Sequence, residues 1–373
     1  MDNVGQYMRV ALGVLTRRVI TGPLSVDVSI VDACNYRCIM CWEHSSELEG
    51  WGADEKARSY HENKKYKDKM MDFELFKSFA SSLKKTGCRR MTFSGIGEPL
   101  LHKRAVDAVA YGKQLGMHVR LTTNGSLLGR EIIEELISTG LDDLSISLNA
   151  GSSEEYGAVH ANQEDIVFRQ IMDNLIWLNE YKKKKGLTAP HIHLSHVVSN
   201  LNSHRAVEMM ESGVASGAVS VNYRPLHTFP HIEKYALGEA DLEKLRSSFI
   251  ETGRLAEANG IDTNIDEFEQ LIDYRKVNDI PAPCIIGWVA PFVLANGDVM
   301  HCVVSREVVG NINETSFEDI WMSPSRKRLN GMALRMHRTG VPVPNTRCEG
   351  CERMLQNTRI LKYLWPLWGK ATS

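Results

Sequence analysis

Three cysteines within eight residues, Cys34-Asn-Tyr-Arg-Cys38-Ile-Met-Cys41, constrain this chain more than any other stretch. They directly follow a β-branched, alternating run, Leu24-Ser-Val-Asp-Val-Ser-Ile-Val31, so the triplet sits on a loop at the end of a predicted strand. Thiolates this close must converge on one centre if they bind metal. Structural zinc sites and ordinary ferredoxin clusters take four protein ligands. A triplet with no nearby fourth Cys or His-rich run therefore suggests a cluster with one iron left open for a non-protein ligand. Spacing alone leaves two alternatives: three half-buried loop thiols, or three ligands of a zinc site with a distant fourth.

The rest of the composition fits an intracellular metalloprotein. At 373 residues the chain is long enough for one large domain and a smaller one. Lys+Arg 44 against Asp+Glu 46 gives a net charge of −2, which calls for no nucleic-acid partner. No apolar stretch approaches the ~20 residues that cross a bilayer. Arg9, Arg17 and Arg18 interrupt the first twenty residues and argue against a signal peptide, so a cytoplasmic location is expected. Eight cysteines in such a chain point to metal rather than disulfides. Seven fall into two groups; Cys88, between a predicted helix and strand, is left over as a core or surface thiol.

In chain order, residues 1–23 predict an N-terminal helix, and 24–226 an alternation of strands and helices. Strands are expected at 24–31, 90–94, 118–123, 143–148, 191–198 and 218–225, with helices between them, the longest over 165–185. Six such units predict a parallel sheet with right-handed crossovers and ligands at the strands' C-terminal ends. The charged stretch 43–69 reads as a long loop able to cover that end. Residues 227–283 read as a helical linker, with helices at 240–259 and 264–274. A second cysteine region follows at 284–352, then an apolar tail at 353–373 expected to pack on the body. In that region Cys284, Cys302 and the Cys348-x2-Cys351 pair make a complete four-ligand set, with Asn296-Gly297-Asp298 in a predicted hairpin. Spacing permits a zinc ribbon there.

The C-x3-C-x2-C loop followed by Trp42 resembles that of the radical S-adenosylmethionine (SAM) enzymes. The resemblance implies an α/β fold: a partial (β/α)6 barrel, here with a small C-terminal α+β domain. It implies that Cys34, Cys38 and Cys41 ligate a [4Fe–4S] cluster whose open iron takes SAM, with Trp42 near the adenine. Ser94-Gly95-Ile96-Gly97-Glu98-Pro99 is similar to the family's glycine motif, implying Gly95, Gly97 and Glu98 at the SAM amino group; Ile96 stands where glycine is common. Thr122-Thr123-Asn124-Gly125 and Ser145-Ile-Ser147-Leu-Asn149 also resemble family strand ends, implying Asn124, Ser147 and Asn149 as further SAM contacts, with Ser199-Asn200 a weaker candidate on the adenine side. The second group resembles a twitch domain, the shortened SPASM type, implying that Cys284, Cys302, Cys348 and Cys351 hold one auxiliary [4Fe–4S] cluster. A flavodoxin- or ferredoxin-type protein would supply electrons.

That resemblance implies hydrogen abstraction by a 5′-deoxyadenosyl radical. In architecture the chain is similar to 2-deoxy-scyllo-inosamine dehydrogenase, which puts oxidation of a sugar, aminocyclitol or similar carbinol first, with the auxiliary cluster accepting the second electron. Arg224, at the end of the sixth strand, is the candidate base or substrate-positioning residue, with Glu43, His44 and Tyr223 as rivals. An arginine stays protonated, so positioning suits it at least as well. Maturation of a ribosomally made peptide is the alternative enzyme. It is set second because the residues before the first strand are too few for a peptide-recognition domain. A non-enzymatic metal-binding scaffold is the third reading; it accounts for the seven thiols but not for the polar strand ends.

Overall fold

The computed structural model describes residues 4–41, 43–48, 70–228, 231–276, 282–346 and, beyond them, 348, 351, 353–354, 357–358 and 360–361. Seven parallel strands form the open barrel: β1 Val26–Val28, β2 Arg90–Phe93, β3 His118–Thr123, β4 Asp143–Ser147, β5 His191–Val198, β6 Ser220–Pro225 and β7 Asp262–Thr263. A small antiparallel sheet follows, made of β8 Phe292–Val293, β9 Asp298–Met300 and β10 Val308–Asn311. The two are continuous, because β8 pairs in parallel with β1, Val28 opposite Val293. One ten-stranded sheet results, in the order β10-β9-β8-β1-β2-β3-β4-β5-β6-β7.

Strand alternation decides which face meets the helices. Along β5, Ile192, Leu194, His196 and Val198 are buried while the residues between them are partly exposed. The apolar members of this set belong to one core that also takes in the helix positions Phe76, Phe79 and Leu83, and Phe168, Ile171 and Leu175. A fully buried side chain of this kind contributes ~1.5–3 kcal/mol. The other face is polar. In register across β4, β5 and β6 stand Ser147, Ser195 and Asn222, with Val197 opposite Arg224 one step further toward the strand ends.

Helix ends follow local chemistry. The helix Phe73–Lys85 starts where the Asp72 carboxylate accepts from the Glu74 and Leu75 amides at 2.9 and 3.0 Å. The helix Asp165–Lys185 stops at Gly186, whose φ of 66° needs a residue without a Cβ.

Several elements depart from expectation. Within the stretch read as a linker, β7 adds to the sheet edge beside β6, next to the anticipated helices at Glu239–Asn259 and Phe268–Lys276. Residues 153–159 form a short helix in a stretch that carried no prediction. The C-terminal helices Phe317–Met322 and Pro324–Thr339 were likewise not anticipated. The first helix, Val4–Thr16, buries Val10, Ala11 and Val14 against Ile285, Trp288 and Val289 of the second cysteine region. Leu361 joins that cluster, whereas the remainder of the tail, 362–373, lies outside the described residues, as does 49–69 of the predicted covering loop. Cys88 is fully buried just before β2, a core thiol.

Candidate cluster-binding active site

Loop 34–41 leaves the end of β1, and a clasp from the far side of the barrel holds it. Ile39 N–H donates to Val159 O at 3.0 Å, and Arg37 N–H to Asn162 Oδ1 at 2.7 Å. Asn162 and Gln163 donate back to Asn35 O at 3.0 and 3.3 Å. Tyr36 and Tyr156 share a hydroxyl contact of 2.6 Å, and the His160 ring packs edge-on against Tyr36. His160 Nδ1 lies 2.9 Å from Cys38 Sγ. Asn124 donates to Asn35 Oδ1 at 2.9 Å, tying in the end of β3.

Two of the three sulfurs already accept backbone hydrogens: Cys34 from Tyr36 at 3.4 Å, and Cys41 from Glu43 and His44 at 3.4 and 3.2 Å. Burial pushes the Cys34 thiol up and Cys41 to about 12. Burial pushes Cys38 well up, and repulsion from Cys41 and Cys34 adds to it. Such thiols give up their protons only in exchange for metal. Trp42 lies outside the described residues.

The glycine motif after β2 runs against the same loop. A Cβ on Gly97 would stand 2.1 Å from Ala33 O, so glycine there admits the chain itself next to Cys34. Gly95, at φ 139°, passes just as closely over Ser29 and Phe292. Ile96 packs on Phe292, Leu294 and Met300, which gives its side chain a partner in the C-terminal region. Glu98 is 2 % exposed and accepts from Thr123 Oγ1, the Asn124 amide and the Leu100 amide at 2.7, 2.8 and 3.1 Å. Its carboxylate ties the ends of β2 and β3 together. Asn149, at φ 55°, accepts from Val197 N–H at 2.9 Å and likewise serves the chain. Ser147 stays on the polar inner face.

Among the candidate bases, Arg224 is exposed on the inner face at the end of β6. Tyr223 points the other way: it is fully buried and donates to Ala206 O at 2.8 Å, which removes it as a rival. His44 Nε2 is 2.9 Å from Asp32 O, and Glu43 pairs with Arg306 of the C-terminal region. Asn200 donates to Lys234 O at 2.9 Å, and its buried Oδ1 has no hydrogen-bond partner. Sequence reasoning missed Tyr156, His160, Asn162 and Gln163. The signal was a Tyr and a His four apart followed by two amides, in a gap between a strand and a long helix.

In the second region Cys284, Cys302, Cys348 and Cys351 line one cavity, walled by Ile286, Val304, Met336, Val343 and Met354. Burial pushes Cys284 well up and Cys302 to about 11, and repulsion from other thiols of the set adds to both. Among the described residues, no group of three or more His, Cys, Asp or Glu closes around a single metal ion. Four thiols lining one cavity have the chemistry of a complete iron–sulfur ligand set.

Comparison with known proteins agrees. The profile of the radical SAM superfamily matches residues 28–211, and that of the SPASM iron-sulfur cluster-binding domain matches 284–352. The chain carries a radical SAM domain followed by a SPASM domain. Its cofactors are accordingly SAM and two [4Fe–4S] clusters.

The tungsten-containing aldehyde ferredoxin oxidoreductase cofactor-modifying protein of Pyrococcus furiosus is 25% identical over 318 residues, 79% of this chain and 80% of that one. The PqqA peptide cyclase of Xanthomonas campestris is 25% identical over 296 residues, 76% of this chain and 71% of the cyclase. Streptococcus suis SuiB bound to S-adenosylmethionine superposes with a TM-score of 0.60 at 15% identity, covering 89% of this chain and 74% of SuiB, a likeness of fold. Among the described residues no helix is long and apolar enough to cross a membrane.

Proposed function

We propose that this radical SAM enzyme abstracts a hydrogen atom from a peptide substrate and forms a crosslink in it, with net loss of two hydrogens. One observation carries the substrate class. The peptide cyclase aligns over 296 residues, more than the radical SAM domain alone accounts for, so the likeness extends beyond the part shared by the whole superfamily. Peptide cyclases of Gluconobacter oxydans and of Xanthomonas strains match at similar identity. The sequence reading put carbinol oxidation first; these relatives reverse that order.

When bound, SAM and its cluster supply a hydrogen-abstracting radical, and the second cluster an electron acceptor. Cys34, Cys38 and Cys41 would hold the first cluster, and Cys284, Cys302, Cys348 and Cys351 the second. The polar row Ser147, Ser195 and Asn222, with Arg224 at its rim, offers hydroxyl, amide and guanidinium groups to orient SAM and substrate. Arg224 serves as a positioning cation, since a guanidinium keeps its proton. A flavodoxin- or ferredoxin-type protein fits as the electron source, and a cytoplasmic location suits a cluster that needs reducing conditions.

The test is turnover by reconstituted enzyme with SAM, a reductant and a pool of deuterated peptides. Label passing into 5′-deoxyadenosine, together with a peptide that has lost two hydrogens, is the expected result. Label drawn only from a deuterated polyol, with a ketone formed, would return the function to carbinol oxidation.

A further inference from the structure

Beside the second thiol cavity the fold buries a cation with nothing of its own to neutralise it. Arg326, on the helix Pro324–Thr339, is 0% exposed. Its guanidinium lies 3.5 Å from the centroid of the Trp321 ring, and one Nη2 hydrogen goes to the carbonyl of Gly287. Nε and Nη1 have no hydrogen-bond partner, and no described carboxylate pairs with it.

The surroundings repeat the pattern. His301, directly before Cys302, is buried with both ring nitrogens unpartnered, and Asn330 is buried with its whole amide unpartnered. A Cβ on Gly287 would stand 2.2 Å from Asn330 Oδ1 and 2.4 Å from His301 Cε1, so glycine there leaves room for these polar groups to gather. His301 also lines the cavity of the four cysteines. His301 thus stands between the thiol cavity and the pocket of Gly287, Asn330 and Arg326 behind it.

A guanidinium keeps its charge in such a place, and an unpaired buried charge is strongly unfavourable. His301 cannot balance it, because an imidazole is neutral or cationic and supplies no negative charge in either form. Past His301 lies the cavity lined by Cys284, Cys302, Cys348 and Cys351. The countercharge has to be negative and has to sit in the cavity. Four thiolates around iron supply it. We infer that Arg326, flanked by His301 and Asn330, is the built-in counterion of the auxiliary cluster and makes its reduced state easier to reach, as a nearby cation favours the form with one more negative charge. This rests on Cys284, Cys302, Cys348 and Cys351 being the ligands and is independent of the substrate class.

The test uses the full chain carrying Cys34→Ala, Cys38→Ala and Cys41→Ala, so that the second cluster is read alone. Its midpoint potential is followed by electron paramagnetic resonance during reductive titration. Adding Arg326→Gln, which can still donate to the Gly287 carbonyl, should move the midpoint to a more negative value, and Arg326→Lys should restore part of the shift. An unchanged midpoint in Arg326→Gln at full iron content overturns the inference. A parent that holds no iron overturns the ligand assignment and the inference with it.

If Arg326→Gln takes up no iron, melting of the iron-free proteins decides. Removing an unneutralised charge should raise the iron-free melting temperature above that of the parent. A lower value would mean that Arg326 is satisfied without the cluster, and the inference falls.

Discussion

His160 Nδ1 and Cys38 Sγ, 122 residues apart in sequence, lie 2.9 Å from each other. His160 is 1% exposed, and its backbone bridges that of Cys38, so the contact is fixed from two directions. His160 Nε2 lies 3.3 Å from Leu148 O, which can only accept, so in the neutral ring Nδ1 accepts from the Cys38 thiol; such a bond contributes about 0.5–1.5 kcal/mol and fixes where the sulfur sits. His160→Ala should therefore loosen the first cluster while sparing the second. The expected result is iron content per chain falling toward half, with SAM cleavage reduced at least tenfold and the protein still folded by circular dichroism. Full iron with normal cleavage would show the contact to be incidental.

Iron counting separates the two thiol groups. Reconstituted wild type should hold roughly eight irons. With Cys34, Cys38 and Cys41 all changed to Ala, the count should halve and SAM cleavage should vanish. Changing Cys284 and Cys351 instead should also halve it, yet leave SAM cleavage measurable. Zinc in the second site, found by elemental analysis, would remove the electron acceptor from the proposed chemistry.

Glu98 accepts three hydrogen bonds in a site where burial raises its pKa and bonds from Asn124 and Thr123 work to lower it again. Glu98→Ala leaves those donors without a partner. A loss of roughly 3 kcal/mol in unfolding free energy is expected, read by urea denaturation. A loss in SAM affinity with stability unchanged would instead mean that the carboxylate acts on the ligand.

His196 predicts a pH dependence. It is fully buried with both nitrogens unpartnered, and burial pushes its pKa down to about 3. In the unfolded chain an imidazole titrates near 6.5. Between those values the unfolded state binds the extra proton, so stability falls as pH drops from about 6.5 toward 3, by up to about tenfold in the folding constant per pH unit. His196→Phe keeps a ring beside Tyr223, whose centroid is 5.7 Å away. The variant should gain on wild type by at least about tenfold in the folding constant between pH 8 and pH 5. Parallel pH profiles would show that the ring is protonated in the fold.

Much of this was open to reading from the chain alone, where the signal is local. The triplet Cys34, Cys38 and Cys41, the alternation of β3 to β6 and the Asp72 cap each depend on residues within one turn or one strand. The clasp did not show. Ser153–Val159 has only seven residues, too short for a clear apolar period, and it matters because Tyr156 meets Tyr36 across the barrel. The hairpin of β8 and β9 was legible at Asn296-Gly297-Asp298, but the parallel pairing of β8 with β1 joins distant parts of the chain and leaves no local pattern. Tyr223 and Arg224 were rivals for one role, and alternation along the strand allows only one of them to face the interior; burial shows that Tyr223 faces the helices.

Pairing between β8 and β1 also governs how this protein can be taken apart. Cutting the chain near residue 283 would leave β1 as a bare edge and strip Val10, Val14 and Leu24 of their cover from Ile285, Trp288 and Val289. An exposed parallel edge beside a stripped apolar face is a template for self-association. The C-terminal part is thus no removable cassette: a shortened barrel should precipitate, and a SPASM domain transplanted from a relative must bring its own strand to match β1.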